Sequence, residues 1–320
     1  MREEINLGNK RRNIDLFDGG TAYLIASAGL CILQFLLEWL SGTGLFNMGA
    51  VKNIASSSYY VLCLGLPAAY LAGRRKYPLE SLRLLPISPG RAIGIVVLAA
   101  FAFMVVSIVS MFWSALVEAT GGVIYDTSVA LPTDTMGIIG MFMLMVAFPA
   151  IFEELAFRGV ILNSLESRGK VRAAAITTML FTLIHGSLLG FPSEIIGGAL
   201  MAMLVFRLGS LYASMIYHTA FNGIAFAVML WAGDAPAQTG TVLEQVGGMQ
   251  GLLGMLPGLV IFTLLMIFQY RLCVRATRPV SADHPRKNDP MDWQTLLVWL
   301  GGIFTGIYFL IQDLILIYGG

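Results

Sequence analysis

The chain has 320 residues, of which 57% are hydrophobic and 12% are charged, and its formal net charge is +1. This composition is too apolar for an ordinary soluble protein of this length, and it predicts a polytopic membrane protein. A nearly neutral chain without a basic, aromatic-rich stripe argues against nucleic acid as a partner. Three cysteines, an odd number, indicate neither a disulfide framework nor a Cys-based metal site.

Apolar runs long enough to cross a hydrocarbon core of about 30 Å predict the transmembrane helices. In chain order the full-length runs are Gly19–Leu37, Asn53–Gly73, Ala92–Val117, Thr135–Phe152, Ala173–Ser193, Leu208–Gly233, Gln245–Tyr270 and Trp293–Gln312. A ninth run, Ile195–Phe206, is short for a crossing. We expect an all-α transmembrane bundle of about nine spans.

The loops alternate between basic and non-basic segments. The basic residues cluster before the first span, between the second and third, before the fifth and before the last, as Lys10, Arg11, Arg12, Arg74, Arg75, Lys76, Arg83, Arg91, Arg168, Lys170, Arg172, Arg271, Arg275, Arg278, Arg286 and Lys287. The segments Glu118–Asp134 and Gly233–Glu244 contain no Lys or Arg. Because cytoplasmic loops accumulate positive charge, we expect a cytoplasmic N-terminus. The alternation holds only if Ile195–Phe206 is counted as a crossing.

The predicted spans group into three parts. Residues 1–134 form an N-terminal tail and three spans, and residues 135–233 form the candidate catalytic core. Residues 234–320 form two C-terminal spans joined by a basic inner loop.

Two adjacent glutamates, Glu153 and Glu154, follow an uncharged stretch of 18 residues, Thr135–Phe152. A charge near the bilayer centre costs roughly 2.5–3.5 kcal/mol on insertion scales, so such residues usually line a functional interior. Arg158 follows Glu154 by four residues, a favourable spacing for a structural ion pair. Glu153 points elsewhere on the helix and is the better candidate base. Pro149 predicts a kink one turn earlier, which would open space beside Glu153.

Two of the three histidines, His185 and His218, fall inside predicted spans. Asn222 follows His218 by four residues, so both project from one helix face. Helical rise places Glu153, His185 and His218 in the inner half or centre of the membrane, where they could meet. The alternative for each histidine is a structural hydrogen bond between helices.

The remaining ionisable groups near the spans are expected to have no catalytic role. Glu38, Glu194, Arg207 and Asp313 lie at span ends, where headgroups and water are near. His284 stands among prolines and charged residues in a loop and is expected to be solvated.

Three motifs on separate spans resemble a known family. Glu153-Glu154-x-x-x-Arg158, Phe181-x-x-x-His185 and His218-x-x-x-Asn222 occur in the order found in the CAAX protease and bacteriocin-processing (CPBP, Abi-type) intramembrane proteases, which include type II CAAX prenyl endopeptidases. The resemblance covers about Phe152–Asn222. It implies that Glu153 activates water beside Glu154 and Arg158, and that His185, His218 and Asn222 complete the site. Phe157 and Phe181 are implied as supporting residues.

The chemistry of these residue types agrees with peptide hydrolysis. A carboxylate in a water-poor site can take a proton from water, and Asn222 is a neutral donor suited to an oxyanion. Glu153, His185 and His218 are also the ligand types of some catalytic zinc sites. The sequence leaves open whether the enzyme is a metal-free glutamate peptidase or a metalloprotease with Zn²⁺.

The expected function is therefore an intramembrane endopeptidase that cleaves near the cytosolic face, in the bacterial cytoplasmic membrane. Its expected partners are membrane lipids and a peptide or lipidated protein substrate, prenylated at a CAAX-type end or bacteriocin-like. One alternative is a non-catalytic membrane scaffold or bacteriocin-immunity protein that keeps the fold and binds a partner. A transporter would also use buried Glu and His, but no inverted repeat is visible in the sequence.

Overall fold

The computed structural model describes residues 14–44, 48–75, 78–124, 131–233, 240–275 and 291–319. Within these ranges the chain forms helices and no strand, which confirms the all-α fold class. The helices of 16 residues or more are α1 (Leu16–Thr43), α2 (Val51–Gly73), α3 (Pro89–Ala119), α4 (Thr135–Arg168), α5 (Lys170–His185), α6 (Phe191–Leu208), α7 (Leu211–Ala232), α8 (Gly248–Cys273) and α9 (Trp293–Tyr318). His284 and most of the basic loop 271–287 lie outside the described residues.

Eight of these helices are long and apolar enough to cross a membrane, and α5 is the exception with 16 residues. At 1.5 Å per residue, α5 extends about 24 Å, which is less than the hydrocarbon thickness. The predicted span Ala173–Ser193 is thus wrong at its end, because the helix stops at His185. The short run Ile195–Phe206 belongs to α6, whose 18 residues are enough for a crossing.

The turn after α5 explains this difference. Gly186 adopts a left-handed conformation, with φ of 57°, and its N–H donates to the Leu183 carbonyl. The chain then reverses, and α6 begins at Phe191 with Pro192 in its first turn. A proline there is favoured because its missing N–H has no helical partner at that position. Helices α5 and α6 therefore form an antiparallel hairpin with His185 beside the turn.

Helix α9 closes the bundle by packing along α1 and α5. Gly302 and Gly306 let it approach closely, since a Cβ at either position would meet the Tyr23 ring or hydroxyl within 3.0 Å. The Tyr23 hydroxyl donates to the Leu180 carbonyl, and Trp299 donates to the Leu16 carbonyl. Small residues and interhelical hydrogen bonds are the main sources of helix association in lipid, where apolar burial alone contributes little.

One end of the bundle, here called the basic end, carries Arg83, Lys170 and Arg207. Arg83 and Lys170 both lie near the ring of Phe206, with cation-to-centroid distances of 5.7 and 5.8 Å. Arg83 also pairs with Glu166 at 2.6 Å. The start of α5 and the end of α6 meet here, which places the α5–α6 turn and His185 toward the opposite end.

We expect Gly186→Ala to destabilise the protein by about 2–5 kcal/mol, the sum of left-handed backbone strain and local overpacking. A Cβ at this position would lie 2.5 Å from the Cβ of Phe309. Gly44 is a matched control, because it caps α1 with φ of 66° but has open space where a Cβ would be added. Gly44→Ala should cost only the backbone strain, about 1–2 kcal/mol. Equal losses for both variants in detergent unfolding experiments would contradict the packing role of Gly186.

Candidate active site

The backbone of α4 is wound more loosely than an α-helix before and after Pro149. Residues Met143–Ala147, Pro149–Glu153 and Leu155–Ile161 form π-helical turns. In an α-helix the Met145 carbonyl would accept from residue 149, but proline has no N–H. The Asn222 side chain from α7 donates to that carbonyl instead, at 3.1 Å. The interruption in α4 is thus hydrogen-bonded to one of the sequence-selected polar residues.

The expected ion pair between Glu154 and Arg158 is confirmed. Arg158 Nη1 donates to Glu154 Oε1 at 2.7 Å, and both side chains have 0% exposure. The guanidinium also contacts the Gly198 carbonyl at 3.4 Å and lies 4.4 Å from the centroid of the Phe181 ring. Such contacts offset part of the desolvation cost that a buried ion pair carries.

Glu154 also holds His218 in place. His218 Nδ1 lies 3.0 Å from Glu154 Oε1, the same oxygen that accepts from Arg158. A carboxylate paired with arginine is ionised and only accepts, so Nδ1 of the histidine carries the hydrogen. In the neutral imidazole, Nε2 is then an acceptor. The carboxylate fixes both the orientation and the tautomer of the ring.

His185 is held in the same tautomer as His218, but by a different partner. Its Nδ1 lies 2.7 Å from the Phe181 carbonyl, one helical turn earlier. A carbonyl cannot donate, so Nδ1 carries the hydrogen and the neutral ring presents Nε2 as an acceptor. The Phe181 ring packs against His185 at 4.5 Å and edge-on against Phe157 at 5.1 Å between centroids. The two implied supporting residues thus pack behind the histidine.

Glu153 faces both histidines. Its Oε2 lies 4.0 Å from Nε2 of His185 and 4.0 Å from Nε2 of His218. That oxygen is buried and has no hydrogen-bond partner among the described residues. The three facing atoms are all acceptors when the histidines are neutral, and contacts of this length leave room for a bridging water. A hydrogen-bond donor would therefore fit between these three acceptor atoms.

A cavity of about 390 Å³ joins these groups. Glu153, His185, His218 and Asn222 line it, together with Phe181. Glu154, Arg158 and Phe157 are buried. The structure therefore brings all the sequence-selected residues to one place, on α4, α5 and α7.

Tyr60 and Glu194 also line this cavity, although neither was predicted from the sequence to belong to the site. Tyr60 from α2 interacts with Glu153, and no local motif in the sequence marks it. Glu194 was expected among headgroups, but it lines the cavity and its Oε2 is buried without a hydrogen-bond partner in the described residues. Gly186 and Pro192 in the sequence could have indicated the position of Glu194, because they predict a tight turn after His185. Such a turn brings the first turn of α6, which contains Glu194, back beside His185.

A zinc site is the alternative that the sequence left open. Glu153, His185 and His218 supply ligand types found in catalytic zinc sites. Among the residues that the structure describes, however, no group of three or more His, Cys, Asp and Glu side chains is arranged to hold a metal ion.

Comparison with known proteins adds one finding. Residues 135–224 match the family model described as type II CAAX prenyl endopeptidase Rce1-like, which covers less than a third of the chain. No curated protein and no solved structure matches the chain. The resemblance inferred from the three motifs is thereby confirmed: the helical segment that carries Glu153, His185 and His218 is similar to the Rce1-like type II CAAX prenyl endopeptidases, and with the membrane-length helices it supports an intramembrane protease.

Proposed function

We propose that this protein is an intramembrane endopeptidase in which Glu153 activates water for attack on a peptide carbonyl. The observation that carries this proposal is the buried Oε2 of Glu153, which has no hydrogen-bond partner among the described residues and faces Nε2 of two histidines at 4.0 Å. A water between these acceptors can donate one hydrogen to Glu153 and the other to a histidine. Its lone pairs then remain available for attack on a carbonyl carbon.

In the reaction, Glu153 takes a proton from this water while the water oxygen adds to the carbonyl carbon. The C–N bond of the resulting tetrahedral intermediate then breaks, and the protonated Glu153 returns the proton to the leaving amine. The carboxylate is regenerated, so each turnover consumes one water and one peptide bond. A single residue serves first as general base and then as general acid.

Asn222 is proposed to stabilise the oxyanion that forms on the carbonyl oxygen. Its amide nitrogen carries two hydrogens, and the Met145 carbonyl takes only one of them. The other remains for the substrate, and the bond to Met145 prevents the amide from rotating. Preorganised donors of this kind act strongly in a water-poor cavity.

Glu154 and Arg158 are proposed to act as positioning residues. Glu154 keeps the hydrogen of His218 on Nδ1, so that Nε2 faces the water. Arg158 holds Glu154 ionised in a fully buried position. Neither residue needs to contact the substrate to perform this role.

The proposed substrate is a membrane-associated peptide or lipidated protein, prenylated at a CAAX-type end or bacteriocin-like, in the bacterial cytoplasmic membrane. We further propose that the basic end faces the cytosol. His218 is the eighth residue of α7, about 10 Å along the helix from that end, within reach of a segment that enters from the cytosolic side.

A cleavage assay on the purified protein in proteoliposomes tests this function. Prenylated and unprenylated versions of one peptide are compared, each with and without a metal chelator, and the products are identified by mass spectrometry. We expect cleavage that persists in chelator. Activity that is lost with chelator and restored by Zn²⁺ would overturn the metal-free mechanism, and the absence of cleavage on every peptide would count against a peptidase.

Asn222→Ala should lower kcat by about 10²–10³-fold, the usual effect of removing one oxyanion donor. KM should change little, because the bond forms mainly in the transition state. The Met145 carbonyl loses the hydrogen bond from Asn222 in this variant, so unfolding must be measured in parallel. Adding Pro149→Ala supplies a backbone N–H near that carbonyl. If the double variant recovers stability without activity, the oxyanion role is supported; if activity returns as well, Asn222 is only structural.

A further inference from the structure

A groove of about 910 Å³ lies on the side of α6 opposite to the candidate active site. Ile195, Ala199 and Met203, spaced four residues apart, form its wall along α6. Gly197 and Met201, on another face of the same helix, line the catalytic cavity instead. Helix α6 therefore separates the two spaces, and the groove is distinct from the candidate active site.

The groove has the lining of a site for a hydrocarbon chain. The depression between α5 and α6 exists because small side chains line it, namely Ala174, Ala175 and Ala199. The rim carries exposed apolar side chains, among them Val171 at 84% exposure. In a membrane-spanning bundle, an open apolar depression of this kind faces lipid, since backbone and side chains there offer no partner to water.

Positively charged side chains lie at one end of the groove. Lys170 from the start of α5 and Arg207 from the end of α6 line it, and Arg207 interacts with the Tyr270 side chain from α8. None of its described lining residues is acidic. The first backbone N–H groups of α5 lie at the same end, and their cap residue, Gly169, has no side chain to bond them. This end is complementary to an anionic group at the boundary of the membrane.

We propose that this groove binds one anionic phospholipid, with its phosphate between Lys170 and Arg207 and an acyl chain along the alanine-lined floor. Basic pockets between transmembrane helices bind anionic headgroups by this combination of charge and apolar depth. A zwitterionic headgroup would bring its own cation beside two basic side chains and is disfavoured. The proposal does not depend on the peptidase function.

Lipid binding to the purified, delipidated protein tests the site directly, by native mass spectrometry with phosphatidylglycerol and phosphatidylcholine of identical acyl chains. Each basic side chain near an anionic headgroup contributes about fivefold in affinity. The Lys170→Gln/Arg207→Gln variant should therefore raise the Kd for phosphatidylglycerol by about 25-fold while changing that for phosphatidylcholine less than twofold. Arg172→Gln, on the same turn of α5 but outside the groove, should have little effect.

A second pair of variants tests the apolar part. Ala175→Phe fills the groove and should weaken the binding of both lipids at least fivefold. Ile176→Phe, at the neighbouring exposed position outside the groove, should not.

Equal affinity for the two lipids in the unmodified protein would overturn the proposal. So would displacement of bound lipid by soluble glycerophosphoglycerol, because a phosphate site alone needs no acyl chain. A groove occupied instead by a second copy of the chain would appear as a dimer mass and would also overturn it.

Discussion

Glu153→Gln should abolish peptide cleavage, lowering kcat/KM by about 10³-fold or more, near the upper range for loss of general acid–base catalysis. The amide has the shape of the carboxylate and still accepts a hydrogen bond, but it cannot take a proton at neutral pH. The loss is expected to be large because Glu153 moves the proton in both halves of the proposed reaction. The measurement is initial-rate cleavage of a peptide in proteoliposomes, followed by mass spectrometry.

The fold of this variant should be unaffected. Glu153 takes no part in the ion pair behind it, and Oε2 has no hydrogen-bond partner to lose among the described residues. The amide oxygen of glutamine can still accept from the Tyr60 hydroxyl, which interacts with Glu153. The melting temperature should therefore stay equal to that of the unmodified protein or rise. Glu38→Gln makes the same chemical change on α1, at an exposed residue that does not line the cavity beside Glu153, and should keep full activity. If Glu153→Gln cleaves normally, Glu153 is not the general base. If the variant loses cleavage but keeps full biological activity in cells, the scaffold alternative becomes the better account.

Spacing within one helix was enough to predict part of the site. The Glu154–Arg158 pair follows from the helical geometry of residues four apart, and the interruption of the α-helical hydrogen bonding follows from the missing N–H of Pro149. Both depend only on the backbone of α4, so they can be derived before any tertiary structure is known. The resemblance of three motifs then selected His185, His218 and Asn222 on two other helices.

Contacts between helices could not be derived in this way. Nothing local indicates that His218 bonds Glu154, that Asn222 bonds the Met145 carbonyl, or that Tyr60 lies beside Glu153. These contacts depend on how α2, α4 and α7 are rotated and shifted against one another. The end of α5 was also placed too late, because hydropathy continues through the turn at Gly186 and only backbone conformation marks the stop.

Arg158→Met should destabilise the protein by about 3–5 kcal/mol, because it leaves the Glu154 charge buried without its main partner. Both side chains of this pair have 0% exposure, so water cannot replace the lost contacts. Arg83→Met breaks the pair with Glu166, in which the arginine keeps 15% exposure, and it should cost clearly less. The measurement is unfolding of each variant in the same detergent, monitored by circular dichroism.

The double variant Glu154→Gln/Arg158→Met separates stability from positioning. It removes both buried charges, so its loss of stability should be smaller than the sum of the two single losses, with a coupling of about 1–3 kcal/mol. Its activity should nevertheless remain below that of the unmodified protein. A neutral amide fixes the tautomer of His218 less firmly than an ionised carboxylate, since hydrogen bonds to charged acceptors are the stronger ones. Recovery of stability and activity together would mean that Glu154 and Arg158 only support the fold. Stability that returns without activity would instead assign to Glu154 the orientation of His218 toward the water at Glu153.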